Sequence, residues 1–133
     1  MDSNSHKDQI NNLFRLLLRI HKSLLDFQKL VIEALEQKRY SPYETLSLAM
    51  SHPDFEWLRK ISRIMADMDE STSDKKSLPD DKVLKNFARR LNEIFGESTA
   101  DLDFKNRLKI ALDRDSKLSS EVADFRAELN KLI

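Results

Sequence analysis

The chain has no cysteine, one glycine, three prolines and no excess of either charge, and each shortage removes a class of protein. Soluble proteins average about 7% glycine, so a chain of 133 residues would ordinarily hold roughly nine. Tight β-hairpins draw on glycine for positive φ angles, and G-x-G-x-x-G and Walker A loops need at least two glycines each. One glycine excludes those nucleotide sites and leaves almost no material for hairpins. Without cysteine there are neither disulfides nor thiolate zinc sites, although a thiol-free chain survives in either redox compartment. No apolar run approaches the ~18 residues of a spanning helix, and the first residues, MDSNSHKDQINN, are polar. The expectation is a cytoplasmic protein without membrane contact.

Charge offers no hint of a phosphate-rich partner. The 23 basic residues balance 23 acidic ones, and the balance holds locally: residues 1–70 carry ten and eleven, residues 71–133 thirteen and twelve. Nucleic-acid binders show a basic excess or stripe, because their affinity comes largely from neutralising phosphates. Arg15, Arg19 and Lys22 cluster, as do Lys105, Arg107 and Lys109, but acidic residues flank both groups. They read as solvated helix faces, and nucleic acid is not an expected partner.

What the chain does contain is helical periodicity. Ile10, Leu13, Leu17, Ile20, Leu24, Phe27, Val31 and Ala34 follow alternate spacings of three and four, a heptad seam of more than three repeats. Phe14 and Leu35 flank it on one side and Leu16 and Leu30 on the other, a stripe wide enough for two neighbours in a bundle. The helix, about 6–38, would span roughly 45–50 Å. A compact chain of this size has a radius of gyration near 14 Å, so the molecule is expected to be elongated or paired with a second copy.

Stop and start signals divide the remainder. Ser41, Pro42 and Glu44 form a capping-box pattern with proline at the first helical position, opening a short helix over 42–50. Pro53 opens another over 53–68, with Leu58, Ile61, Met65 and Met68 as its seam. ESTSDKKSLP, residues 70–79, is polar and serine-rich and reads as a linker. A fourth helix over 79–95 places Leu84, Phe87, Leu91 and Ile94 at core spacing and stops at Gly96, as a left-handed C-cap would. Helices over 102–113 and 117–132 follow, in one register if Asp115 occupies a seam position. A charged residue there implies a kink or break, although a continuous helix is the alternative.

Motifs that would carry chemistry are absent or incomplete. Di-iron bundles use Glu-x-x-His on two helices, and none of His6, His21 and His52 has an acidic residue three positions before it. His-Glu-x-x-His is absent, as is the Gly-x-Ser-x-Gly elbow. No catalytic residue, cofactor ligand or metal ligand is assigned. His21 beside the first seam could be a base in a bundle cavity or a half-wet boundary residue. Asp69 sits with Glu70 at a helix end, where solvation accounts for it.

The densest stretch is His52-Pro53-Asp54-Phe55-Glu56-Trp57-Leu58-Arg59. Trp57, the only tryptophan, and Arg59 are of types enriched at interface hot spots. Either their helix is central in the bundle or one side of it is a docking surface. This stretch, with Leu-x-x-Ile-His-Lys-x-Leu-Leu before it, Ser-Pro-x-x-x-Leu between, Met-Asp-Glu after it and Ala-Leu-x-Arg-Asp near the end, resembles a group of small bacterial all-helical proteins of unassigned function. A proline is expected near Ser116 in that group, and this chain lacks it. The resemblance implies a helical intracellular protein and no reaction.

The fold expected is an all-α, antiparallel four-helix-bundle-like domain, 1–133, with a long first helix and a short connecting helix. Its expected function is a non-enzymatic protein-interaction or regulatory module, with an unspecified protein partner and homodimerisation open to it. His21, His52, Trp57, Arg59 and Asp69 are the candidate interaction or pocket residues. The alternative is a ligand-binding or enzymatic bundle whose pocket gathers His21, Trp57 and Asp69.

Overall fold

The computed structural model describes residues 3–133 and is all-α among them, with the side chains described from Ser5 onward. Helix α1 (Ser3–Glu36) is followed by α2 (Pro42–Ser51), a 3-10 turn (Pro53–Phe55), α3 (Glu56–Ser73), α4 (Asp81–Phe95), α5 (Leu102–Arg114) and α6 (Ser116–Leu132). Helices α1, α3, α4 and α6 form the four-helix body. α1 and α4 run in the same direction, with His6 facing Asp81 at their N-terminal ends. α3 runs against α1, since His21 meets Ser62 and Gln28 meets Trp57. α6 also runs against α1, since Ser23 meets Glu121. α5 crosses one end of the body, from an ion pair between Lys60 and Asp101 at its start to the side of α1 at Arg114.

One core joins these helices, and aromatic rings tie its end together. Trp57 of α3 meets Phe104 of α5 edge-on at 5.5 Å, Phe104 meets Phe95 of α4 at 5.3 Å, and Phe95 meets Phe125 of α6 at 5.3 Å. Each edge-to-face pair contributes about 0.5–1.5 kcal/mol beyond its area, so the ladder couples four helices that share no continuous backbone structure. The short helix α2 is different. It packs on the start of α3 and has no fully buried residue.

Several boundaries differ from the sequence expectation for identifiable reasons. α3 continues to Ser73 rather than ending at residue 68, which shortens the expected 70–79 linker to 74–80. In this last stretch the hydroxyls fold back on the helix, Ser71 and Thr72 donating to the carbonyl of Met68 and Ser73 to that of Asp69. Such back-bonding satisfies the hydroxyls without favouring the helix itself. α4 starts at Asp81, not Pro79, because the Asp80 carboxylate accepts the Val83 amide at 3.0 Å and caps the helix. Pro53 opens a 3-10 turn before the α-helix proper. The break between α5 and α6 is real: Asp115 adopts φ −137 and ψ 101 and caps α6 through the Leu118 amide.

Gly96 is not the expected left-handed cap, since its φ is −66. Glycine is required there by proximity. A Cβ would lie 2.5 Å from the Asn92 carbonyl oxygen and 2.8 Å from Asn92 Oδ1. The left-handed cap belongs to Gln37, at φ 52 after α1, where Lys38 N–H donates to the Glu33 carbonyl as in a Schellman ending.

The first seam also departs from its heptads. After Leu24 the buried positions are Gln28 and Ile32, spaced by four, whereas Phe27 and Val31 are half-buried and Ala34 is exposed. The indole of Trp57 accounts for the change. Its Nε1–H donates to Gln28 Oε1 at 3.0 Å inside the core, and a buried donor of this kind must be satisfied. Turning Gln28 inward turns the heptad residues outward. The accessible surface of the chain, 8504 Å², exceeds the roughly 7,250 Å² of a compact monomer of this mass. The excess matches an elongated body with projecting ends.

Candidate functional site

The residues singled out in the sequence fall into three separate environments. Trp57 lies in the core, 3% exposed, between Gln28 and Phe104. It organises the interior and offers no surface to a partner.

His52 and Arg59 come together at a corner where α2, the 3-10 turn and α3 meet. Arg59 donates from Nε to the Ala49 carbonyl at 3.1 Å and from Nη2 to the His52 carbonyl at 2.6 Å, and pairs with Glu56 through Nη1. α2 has no basic residue in its last turn, so the guanidinium supplies the cation that its C-terminal carbonyls favour. His52 Nδ1 accepts the Asp54 amide at 3.0 Å, which puts any neutral-ring proton on Nε2, 3.9 Å from Glu36 Oε1. The ring also meets Phe55 edge-on at 6.2 Å. These contacts hold α2 in place.

His21 pairs with Ser62 across α1 and α3, Nε2 to Oγ 3.0 Å. Burial lowers the His21 pKa from its ordinary 6.5, so the ring is neutral at pH 7. A neutral imidazole beside an alcohol is one element of nucleophilic catalysis, which also needs a group orienting the base and donors for an oxyanion. No carboxylate is hydrogen-bonded to His21 among the described residues. The expected convergence of His21, Trp57 and Asp69 does not occur. Trp57 and Asp69 stand twelve residues apart on α3, about 18 Å along its axis, with Ser62 and its His21 between them. Among the described residues no group of three or more His, Asp or Glu side chains could hold a metal ion.

The unabsorbed chemistry lies on the surface, at the end where α1 outruns α6. There the heptad residues Phe27, Val31 and Ala34, with their flanking Leu30 and Leu35, form a stripe on α1, with Leu30 65% and Leu35 74% exposed. The stripe borders a groove of about 480 Å³ whose far wall carries Arg114, Asp115 and Lys117. Beyond the turn that follows α1, α2 directs Tyr43, Leu46 and Met50 outward, 82%, 59% and 72% exposed. These occupy positions i, i+3 and i+7, one ridge of a helix. Its capping box holds α2 in register, with the Ser41 hydroxyl accepting the Glu44 amide and the Glu44 carboxylate accepting the Ser41 amide. That hydrogen bonding lowers the Glu44 pKa.

No protein-family model, curated protein or solved structure matches the chain. The reading of its function therefore rests on this geometry. A larger cavity of about 690 Å³ between α4 and α6 gathers Lys82, Lys85, Arg89 and Lys131, and Asp81 pairs with Lys85 and Glu128 with Lys131, which offsets part of that charge. No helix among the described residues is long and apolar enough to cross a membrane.

Sequence reasoning missed Gln28 and Ser62, the partners that fix Trp57 and His21. Leu24, Gln28 and Ile32 do form a four-residue spacing, the one signal that could have placed Gln28 inward. It competes with a more apolar heptad over the same turns.

Proposed function

We propose that the chain is a non-enzymatic protein-interaction module that presents the outward ridge of α2 to the apolar face of a helix in another protein. The observation that carries this reading is α2 itself. A ten-residue helix is too short to be stable alone in water, yet this one is capped at its start, clamped by Arg59 at its end and turned so that three large apolar side chains face solvent. Structure is being maintained to display that ridge. Glu44 is its only charged residue, so the complementary surface is apolar, and a helix laid along i, i+3, i+7 anchors is the recurrent way to cover such a ridge.

The test compares tagged wild type with Leu46→Glu/Met50→Glu, both shown to be folded by circular dichroism, in quantitative co-purification from the source cells. A protein enriched with wild type and lost from the variant is expected. Identical sets of bound proteins for the two would refute the reading.

A further inference from the structure

The stripe on α1 has an occupant that the structure itself describes. We propose that it is covered by α1 of a second copy, packed antiparallel about a two-fold axis near Val31. Three independent features support that occupant: the shape of the stripe, the charges around it and the area available.

The first is pattern. Phe27, Leu30, Val31, Ala34 and Leu35 occupy i, i+3, i+4, i+7 and i+8, the arrangement of a helix face packed on another helix. Phe27, Val31 and Ala34 continue the heptad spacing of Ile20 and Leu24 only in sequence; in space the intramolecular core has moved to Gln28 and Ile32. A 3-4 seam only partly covered within one copy, with Phe27 and Val31 half-buried against the core and Leu30 and Leu35 exposed, fits a second helix crossing at about 20°. Around Val31, antiparallel pairing sets Phe27 of one copy against Leu35 of the other, twice over, as a two-fold interface requires.

The second is electrostatics. α1 ends in Glu33 and Glu36 with no basic residue in its last turn, against the preference of its own dipole; Lys38 and Arg39 follow directly, and the two carboxylates accept the Tyr40 amide and hydroxyl. Antiparallel pairing carries that acidic end of each copy toward the other copy's groove wall, where Arg114 and Lys117 stand at the N-terminal end of α6. Of the acidic groups there, Asp115 is engaged in capping Leu118, and Asp26 and Glu121 share the adjoining cavity with Arg19, Lys22 and Lys117. Zero net charge means that two copies do not repel one another at long range.

The third is area. At the exposures given above, the stripe offers on the order of 400 Å² of apolar surface per copy. Interfaces are about 57% apolar, so complete burial of the stripe would correspond to at most roughly 700 Å² per copy. The total, at most about 1,400 Å², lies within the ~1,200–2,000 Å² range of stable interfaces.

The full chain tests this directly. Sedimentation equilibrium from about 10 μM to 1 mM should show the mass rising from 15.6 kDa to twice that value, with Leu30→Glu/Leu35→Glu remaining monomeric at unchanged helicity. Because the chain has no cysteine, Val31→Cys places one thiol per copy at the axis, within the ~7 Å Cα separation that a disulfide tolerates. Mild oxidation should give a covalent dimer with Val31→Cys and not with Leu46→Cys. A monomer at every concentration, a dimer that survives Leu30→Glu/Leu35→Glu, or equal cross-linking at residue 46 would overturn the proposal. None of these outcomes bears on the α2 ridge, whose own test uses Leu46→Glu/Met50→Glu.

Discussion

Replacing either member of the Gln28–Trp57 pair should expose how strongly one buried hydrogen bond sets the register of α1. Gln28→Leu removes the acceptor and leaves the indole N–H, already inside the core, without a partner. An unsatisfied buried donor costs about 1–3 kcal/mol, offset by up to ~1 kcal/mol from the added apolar burial, for a net loss of about 1–2 kcal/mol. Trp57→Phe orphans the Gln28 oxygen and leaves a void of roughly 40 Å³, worth about 1 kcal/mol in cavity cost, and it removes the larger ring from the contact with Phe104. A loss of about 2–4 kcal/mol is expected. The double variant has no stranded polar atom, so it should be more stable than the sum of the single losses implies, by about 1–3 kcal/mol. Urea unfolding followed by circular dichroism measures all four corners of the cycle, and each kcal/mol corresponds to about 4 °C in Tm for a chain of this length. Additivity within ~0.5 kcal/mol would refute the argument that this bond draws Gln28 into the core. The shift of the buried seam away from Phe27 and Val31 would then need another cause.

The other predictions concern local geometry and titration. Gly96→Ala should cost about 1–3 kcal/mol although φ is ordinary, because the added methyl meets the Asn92 carbonyl; unchanged urea stability would show that the turn relaxes freely. Gln37→Gly should stabilise by about 0.5–1 kcal/mol by relieving a left-handed side-chain residue, and a fall in the urea midpoint would contradict that. Arg59→Met should speed amide exchange in α2 more than in α1 or α4, since it strips the Ala49 and His52 carbonyls of their donor; uniform exchange across the helices would count against the clamp. His21 has its folded pKa below the ordinary 6.5, so the unfolded chain takes up that proton first as pH falls. Its contribution is therefore complete above about pH 6.5 and declines below it. His21→Gln should flatten the fall in stability as pH drops below about 6.5, and parallel curves for variant and wild type would refute the assignment.

Features set by short-range chemistry were legible before any fold was known. The scarcity of glycine, the capping box at Ser41 and Glu44, and the seams of α1, α3, α4 and α6 were sufficient for an all-α, four-helix body with a short connecting helix. Asp115 at a seam position pointed to a kink or break but left a continuous helix open, and the break follows because the carboxylate caps α6 instead of entering the core. Composition misled where a polar run could satisfy its hydroxyls on the helix's own carbonyls, as at Ser71–Ser73, which stay helical although their polarity seemed to end the helix.

What only the tertiary structure decided depends on partners far apart in the chain. Trp57 could be read as core or as a docking residue until Gln28, 29 positions earlier, was found accepting its proton. The same bond decides which face of α1 turns inward, because a helix rotated to satisfy one buried donor turns every other residue on it as well. His21 acquired Ser62 in this way, while Asp69 was carried two turns off along α3. By itself the sequence determined where helices begin and what they can bury, since caps and periodicity act within a few residues. Which apolar stripe is buried and which is left facing water was decided by contacts between helices, where a single polar demand outweighs a heptad.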